Sequence, residues 1–266
     1  MGFEKKLRVR PDFRIDDLDA DSTPGIRDKK QAARLLETSV ERLFELQYDL
    51  YAEGRRSLLL VFQAMDAGGK DGTIRTLAHG LNPLGCRVAS FKAPSLEEAT
   101  HDFLWRVHLA CPGKGEVGVF NRSHYEDVLV VRVEELLPKP VWSKRYDQIN
   151  TFERYLVDND VTILKFYLHI SKDEQKRRML ERLDDPRKLW KFSPRDLAVR
   201  KQWDEYMKAY EVALRRCNTD HAPWYAIPAN HNWYRNAVVA SIVTETLERM
   251  KPRFPRPKID RTKIRL

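Results

Sequence analysis

An α/β fold, with a parallel sheet sandwiched between layers of helices, follows from three observations on this 266-residue sequence. Short apolar runs alternate with stretches of helical period, the pattern of a parallel sheet wound with crossover helices. The first run, Ser57–Gln63, is apolar at consecutive positions and reads as a strand covered on both faces. A glycine-rich turn carrying a lysine follows it and leads directly into helical pattern, which narrows the class to a three-layer α/β/α phosphate-loop (P-loop) fold of the kinase type.

Taken in order, residues 1–26 mix charge with Pro11, Pro24 and Gly25, show no sustained period, and are expected as an extended arm. From Arg27 to Tyr51 the apolar positions Leu35, Leu36, Val40, Leu43, Leu46 and Leu50 have helical spacing, and Gly54 ends that helix. Further strands are expected at Arg87–Phe91, Glu116–Phe120, Val161–Leu168 and Trp224–Pro228. Helices are expected at Thr73–Leu81, Leu96–Leu109, Trp142–Val157, Lys172–Leu183, Pro194–Cys217 and Asn232–Met250. No repeat, low-complexity block or Gly/Ser linker divides the chain, so 27–250 reads as a single domain with a helical lid at about 172–202 and a basic tail at 251–266.

The bulk composition excludes several classes. The chain is 42% apolar and 33% charged, a globular balance, and no run approaches the roughly 20 apolar residues of a membrane span. The N-terminus has no apolar segment of the secretory kind, and three cysteines (Cys86, Cys111, Cys217) without C-x-x-C spacing suit a reducing compartment. A cytoplasmic protein is expected. The histidines show no paired-ligand spacing, so zinc is not expected. The net charge of +9 is concentrated in two places: Lys251–Leu266 holds seven basic residues against one acid, and Lys172–Lys201 holds eleven against six. A polyanionic partner would meet the second segment; the tail reads equally as an exposed arm or a functional one.

The turn Ala64-Met65-Asp66-Ala67-Gly68-Gly69-Lys70-Asp71-Gly72-Thr73 has the parts of a phosphate cradle. Its glycines let backbone N–H groups point inward, the helix start adds positive potential, and Lys70 reaches phosphate oxygens. Relative to G-x-x-x-x-G-K-[ST], Ala64 stands for the first glycine and Asp71 for the hydroxyl residue, and a glycine-rich strand-to-helix turn is the plainer reading. Asp66 lies where a carboxylate repels phosphate unless a cation intervenes, which points to Mg²⁺ binding or to orienting the acceptor. A second cluster, Gly118-Val119-Phe120-Asn121-Arg122-Ser123-His124-Tyr125-Glu126-Asp127, begins as a buried strand and ends polar. Arg122 can clamp a phosphate, while Glu126 and Asp127 can hold a metal or take a proton; a simple capped strand end is the alternative. Ser171-Lys172-Asp173-Glu174 starts a helix carrying Lys176, Arg177, Arg178 and Arg182, expected as a lid that closes arginines over a transferred phosphoryl group, or else as a solvated charged helix.

These three motifs, in this order, resemble the polyphosphate kinase 2 family over roughly residues 30–250. Asp66-Ala67-Gly68-Gly69-Lys70-Asp71-Gly72 carries most of the resemblance. Asn121, at a position more often Asp in that family, followed by His124 and Glu126, is similar to the branch accepting both AMP and ADP. The resemblance implies reversible transfer of phosphate between inorganic polyphosphate and adenine nucleotides with Mg²⁺, and a homo-oligomer is expected. Under this reading Ala67, Gly68, Gly69, Lys70, Asp71, Gly72, Thr73, Asn121, Glu126 and Arg177 bind phosphate or nucleotide, and Asp66, Glu126 and Asp127 hold the metal. Asp66, Lys70, Arg122, Arg178 and Arg182 carry catalysis, the arginines by stabilising charge in the transition state. An ATP-dependent nucleotide kinase of thymidylate-kinase type is the first rival, permitted by the fold alone. A non-catalytic nucleic-acid-binding protein is the second, and no recognisable nucleic-acid motif supports it.

Overall fold

The computed structural model describes residues 2–256 and residue 264. In chain order its elements are α1 (Phe3–Leu7), α2 (Lys29–Glu53), β1 (Ser57–Gln63), α3 (Lys70–Ala78), β2 (Cys86–Ser90), α4 (Trp105–Ala110) and β3 (Val117–Asn121). There follow α5 (Val130–Val133), α6 (Lys139–Trp142), α7 (Arg145–Asp158), β4 (Val161–His169), α8 (Lys172–Asp184), α9 (Pro194–Lys201), α10 (Trp203–Arg216), β5 (Trp224–Pro228) and α11 (Asn232–Met250). The five strands form one parallel sheet in the order β2-β3-β1-β4-β5. β1 is buried at every position, as a central strand with both faces covered requires. Phe62 on β1 stacks on Phe166 of β4 at 5.2 Å between ring centroids, within a core that is continuous from the sheet into α2 and α11.

Local chemistry explains three of the places where the expected elements differ. The arm is not plainly extended: it carries α1 and buries Leu7, Val9 and Ile15. Val9 donates its N–H to the Trp224 carbonyl at 2.9 Å and Arg8 bridges Tyr225, so the arm covers the β5 edge that would otherwise be open for pairing. The helix expected at Leu96–Leu109 is reduced to a 3₁₀ turn and α4, because Ser95 and Glu98 exchange a capping box and Asp102 accepts from the Leu104 amide, restarting the chain. The helix expected at Pro194–Cys217 breaks at Gln202, which separates α9 from α10, where Trp203, Tyr206, Ala209 and Tyr210 are buried. Of the basic tail, 257–263 and 265–266 lie outside the described residues.

A charged cluster sits where an apolar core is expected. Lys165, in the middle of β4, donates to Glu153 of α7 at 2.5 Å, to the Tyr125 hydroxyl at 2.9 Å and to the Cys217 carbonyl at 2.6 Å. Glu153 also accepts from Tyr125 at 2.8 Å and lies 3.2 Å from His124 Nε2, and all four side chains are fully buried. Burial alone would raise the Glu153 carboxyl, but Lys165 and His124 hold it below its ordinary value. His124 and Tyr125 belong to the second polar cluster, so this network fixes the turn after β3. Lys165→Met is expected to cost about 3–5 kcal/mol by stranding Glu153, and Lys165→Met with Glu153→Gln to recover most of it, measured by urea unfolding.

Candidate active site

Parallel pairing puts both sequence clusters at one end of the sheet. β1 and β3 pair with Phe62 opposite Asn121, so the loop leaving β1 and the turn leaving β3 emerge side by side at the carboxyl ends of their strands. Both begin on backbone in the left-handed region at a residue other than glycine, Ala67 at φ 61° and Arg122 at φ 62°. Gly69, at φ 98°, precedes α3, and its backbone faces the Arg235 guanidinium so closely that a Cβ there would lie 2.0 Å from Nη1. The amides of Gly69–Gly72 open the helix and have no acceptor within it, which gives the loop its donors and positive potential.

Lys70 is buried and donates to the Ala64 carbonyl at 2.9 Å. Burial pushes its ammonium down to about 8; Arg122 adds to the fall, and Asp66 and Glu126 oppose it. Arg122 stands between two carboxylates, 2.7 Å from Asp66 and 3.5 Å from Glu126. Glu126 is raised by burial despite Arg122 and Lys70. Asp127 lines the same cavity but is paired with Arg145 at 2.6 Å, and burial raises its carboxyl. Asp71 is largely exposed. The Asn121 amide donates to it at 3.0 Å and Lys191 lies 3.5 Å away; these hold its carboxyl below the ordinary value although burial works the other way. Thr73 turns its hydroxyl toward Asn236 of α11, at 3.2 Å, and away from the loop's open side.

The three arginines of α8 are not brought to the cavity. Arg178 lies behind the loop, donating to the carbonyls of Ala67 at 3.0 Å, Ala229 at 2.6 Å and Asn230 at 2.9 Å, with Glu174 at 2.6 Å. It clamps the loop to the start of α11, with no donor aimed at the cavity. Arg177 is exposed and paired with Glu174 and Glu181. Arg182 lies 3.6 Å from Asp196 and joins α8 to α9. Helical spacing put these residues on one helix correctly but carries no information about which side of that helix meets the loop.

The cavity itself has a volume of about 480 Å³, and Asp66, Arg122 and Glu126 line it. Apolar side chains line it too: Phe91, Leu129, Val130, Val131 and Val199. Sequence reasoning missed this apolar lining, and also Arg106, Arg195 and Glu134, which line the cavity. Arg195 of α9 reaches Glu134 at 2.6 Å, which ties α9 to the segment after α5. Only the position of Phe91-Lys92-Ala93-Pro94, just past a strand's carboxyl end, could have pointed to part of this lining. Among the described residues no three His, Cys, Asp or Glu side chains converge as a metal site. Asp66 and Glu126, gathered about one guanidinium, fit instead the one or two carboxylates that Mg²⁺ takes when substrate oxygens and water complete its shell.

The lowered Lys70 ammonium has a definite consequence. Its native value lies below its unfolded one, so the unfolded chain binds the extra proton between pH 8 and about pH 10.5, and stability rises with pH across that window. Lys70→Ala is expected to leave the urea midpoint at pH 7 unchanged or higher while cutting phosphate transfer at least about tenfold. Affinity of the wild-type loop for inorganic tripolyphosphate should fall as pH passes about 8, where Lys70 loses its proton; titration calorimetry across pH 6.5–9.5 checks this.

With the geometry in place, comparison with known proteins is specific. The sequence matches the description Polyphosphate kinase 2 (PPK2) over residues 26–255. It is 55% identical over 263 residues to the AMP/ADP-polyphosphate phosphotransferase of Meiothermus ruber, covering 98% of each chain. It is 48% identical over 244 residues to the ADP-polyphosphate phosphotransferase of Rhodopseudomonas palustris, covering 87% of this chain and 84% of that one. The crystal structure of polyphosphate kinase 2 from Arthrobacter aurescens TC1 superposes with a TM-score of 0.95 at 42% identity, covering 98% of this chain and 94% of that one. The chain belongs to the polyphosphate kinase 2 family.

Proposed function

We propose that the protein transfers the terminal phosphoryl group of inorganic polyphosphate to AMP and to ADP, reversibly and with Mg²⁺. The observation that carries this reading is the cavity's mixed lining: apolar side chains able to take a nucleoside share one cavity with Asp66, Arg122 and Glu126 beside the phosphate loop. The Meiothermus ruber relative, an AMP/ADP-polyphosphate phosphotransferase, favours both acceptors.

In this reading Lys70 and the first-turn amides of α3 hold the donor's terminal phosphates, and the acceptor's phosphate lies across Arg122. An acceptor phosphate is already ionised near neutral pH, so its oxygen attacks without a general base. One P–O bond to the donor chain breaks, one P–O bond to the acceptor forms, and the chain shortens by one phosphate. A phosphoanhydride is lost for each one made when ADP accepts, which leaves the step close to reversible. Arg122 can move from Asp66 and Glu126 to the transferring group, and those two carboxylates would hold Mg²⁺, which neutralises phosphate charge and aligns the oxygens when bound. Arg182, Arg195 and Lys191 act through the lid that covers the site and excludes water.

Pure protein given Mg²⁺, AMP and excess polyphosphate is expected to accumulate ADP and then ATP, followed by chromatography. Turnover with two nucleotides and none with polyphosphate would assign an ATP-dependent kinase instead. The acceptor choice turns on Asn121, which leaves the strand end without the carboxylate of an aspartate. Asn121→Asp alone would confront Asp71 at hydrogen-bond distance, so Asp71→Asn is added to keep that contact. The double variant moves one negative charge toward the acceptor phosphate and should depress kcat/KM for AMP about tenfold while changing that for ADP less. Equal loss on both acceptors would remove Asn121 from acceptor selection.

A further inference from the structure

Arg235, on the first turn of α11, is 3% exposed, and its guanidinium has no carboxylate partner among the described residues. Its hydrogen bonds go to two neutral amide oxygens, Asn236 Oδ1 at 3.1 Å from Nε and Asn232 Oδ1 at 3.0 Å from Nη1. The one charged group that acts on it strongly is another cation, Arg178, and burial together with that repulsion pushes Arg235 down to about 9. A buried charge without a counter-charge is costly, and the neighbouring arginine shows the usual remedy. Arg178 is partly buried, and it has Glu174 at 2.6 Å and three backbone carbonyls.

The direction in which Arg235 points explains why its charge is left unbalanced. Its guanidinium lies along the opening turn of α3: Nη1 occupies the space of a Gly69 Cβ, and Nη2 would be 3.4 Å from a Gly72 Cβ. That turn already carries the positive end of the helix and the Lys70 ammonium. Arg178 behind the loop is balanced by Glu174, so it is the Arg235 charge that is left for an anion in front of the loop to meet.

We propose that Arg235 is a positioning residue for the phosphate loop: from behind Gly69 its uncompensated charge holds the opening turn of α3 and strengthens the loop's hold on the phosphoanhydride donor. The proposal rests on the reading that this loop binds phosphate. Because Arg235 is 3% exposed and packed against Gly69 and Gly72, it acts in this proposal through the loop. The same packing gives Gly69 a second reason to be glycine, beyond its positive φ: any side chain there would displace the guanidinium.

Two substitutions separate charge from packing: Arg235→Met, neutral and of similar length, and Arg235→Lys, which keeps the charge. For Arg235→Met the expected ligand-free Tm is equal to or above wild type, because an unbalanced buried charge has gone. The rise in Tm produced by inorganic tripolyphosphate should be mostly lost, and KM for polyphosphate raised about tenfold with kcat changed less than about twofold. Arg235→Lys should restore most of the tripolyphosphate response. A lower ligand-free Tm with unchanged tripolyphosphate affinity would make Arg235 a structural brace and overturn the proposal. Equal weakening in the Met and Lys variants would overturn it too, since charge would then not be the active property. If wild-type protein neither gains Tm from tripolyphosphate nor transfers from polyphosphate, the functional reading fails first, and that result is distinct from either outcome for the variants.

Discussion

The candidate site depends on one piece of register: Phe62 on β1 lies opposite Asn121 on β3 and Phe166 on β4. In parallel pairing a shift of one residue would turn each strand's inward side chains to the other face, and β1 is buried on both, so the register is held by packing along its whole length. Ending β1 and β3 at the same level brings Asp66 within 2.7 Å of Arg122 although 56 residues separate them. Every other feature of the cavity's polar lining follows from that meeting.

The network beneath it keeps the meeting point rigid. Glu153, Lys165, His124 and Tyr125 are buried under the turn that carries Arg122 and Glu126. The turn is thus tied to α7 and β4 by charge-assisted hydrogen bonds, where a purely apolar contact would leave it freer to slide. Above the turn, Arg122 at φ 62° is held in a conformation that a side-chain-bearing residue seldom adopts. A strained residue on a braced turn suits a group whose guanidinium must change partners while its backbone stays fixed.

How much of this could be read in the sequence depended on whether the determinant was local. Strands β1, β3, β4 and β5 were legible because their apolar runs are set by burial within each run, and β1 and β5 fall on the expected residues. The Asp66–Thr73 loop was legible because its glycines and lysine are consecutive. Illegible was whatever depends on a distant partner. Lys165 lies inside an apolar run and Glu153 inside an amphipathic helix, and neither position announces the other. Arg178 and Arg182 share a helix face with each other, yet one meets the loop's carbonyls and the other meets α9, a distinction set by tertiary packing alone. The break at Gln202 was invisible for the opposite reason: helical period continues across it, and α9 buries no residue while α10 packs into the core.

Charge around the loop ties these observations together. Lys70, Arg178 and Arg235 lie close about the loop, all three are pushed below their ordinary pKa, and in each case burial is the largest cause. Such groups are ordinarily paired with acids, as Lys165 is with Glu153 and Arg178 with Glu174. Arg235 has no such partner among the described residues, while Asp66 and Glu126 are gathered on Arg122 at the cavity side. The uncompensated Arg235 charge costs stability in the ligand-free protein and adds to the positive potential of the loop's amides. In the proposed reading a polyanion with about one charge per phosphate is drawn to that potential, and the carboxylates admit it only where a cation intervenes. On that reading the unpaired cation behind Gly69 and the acid inside the loop are parts of one arrangement for holding a chain of phosphates.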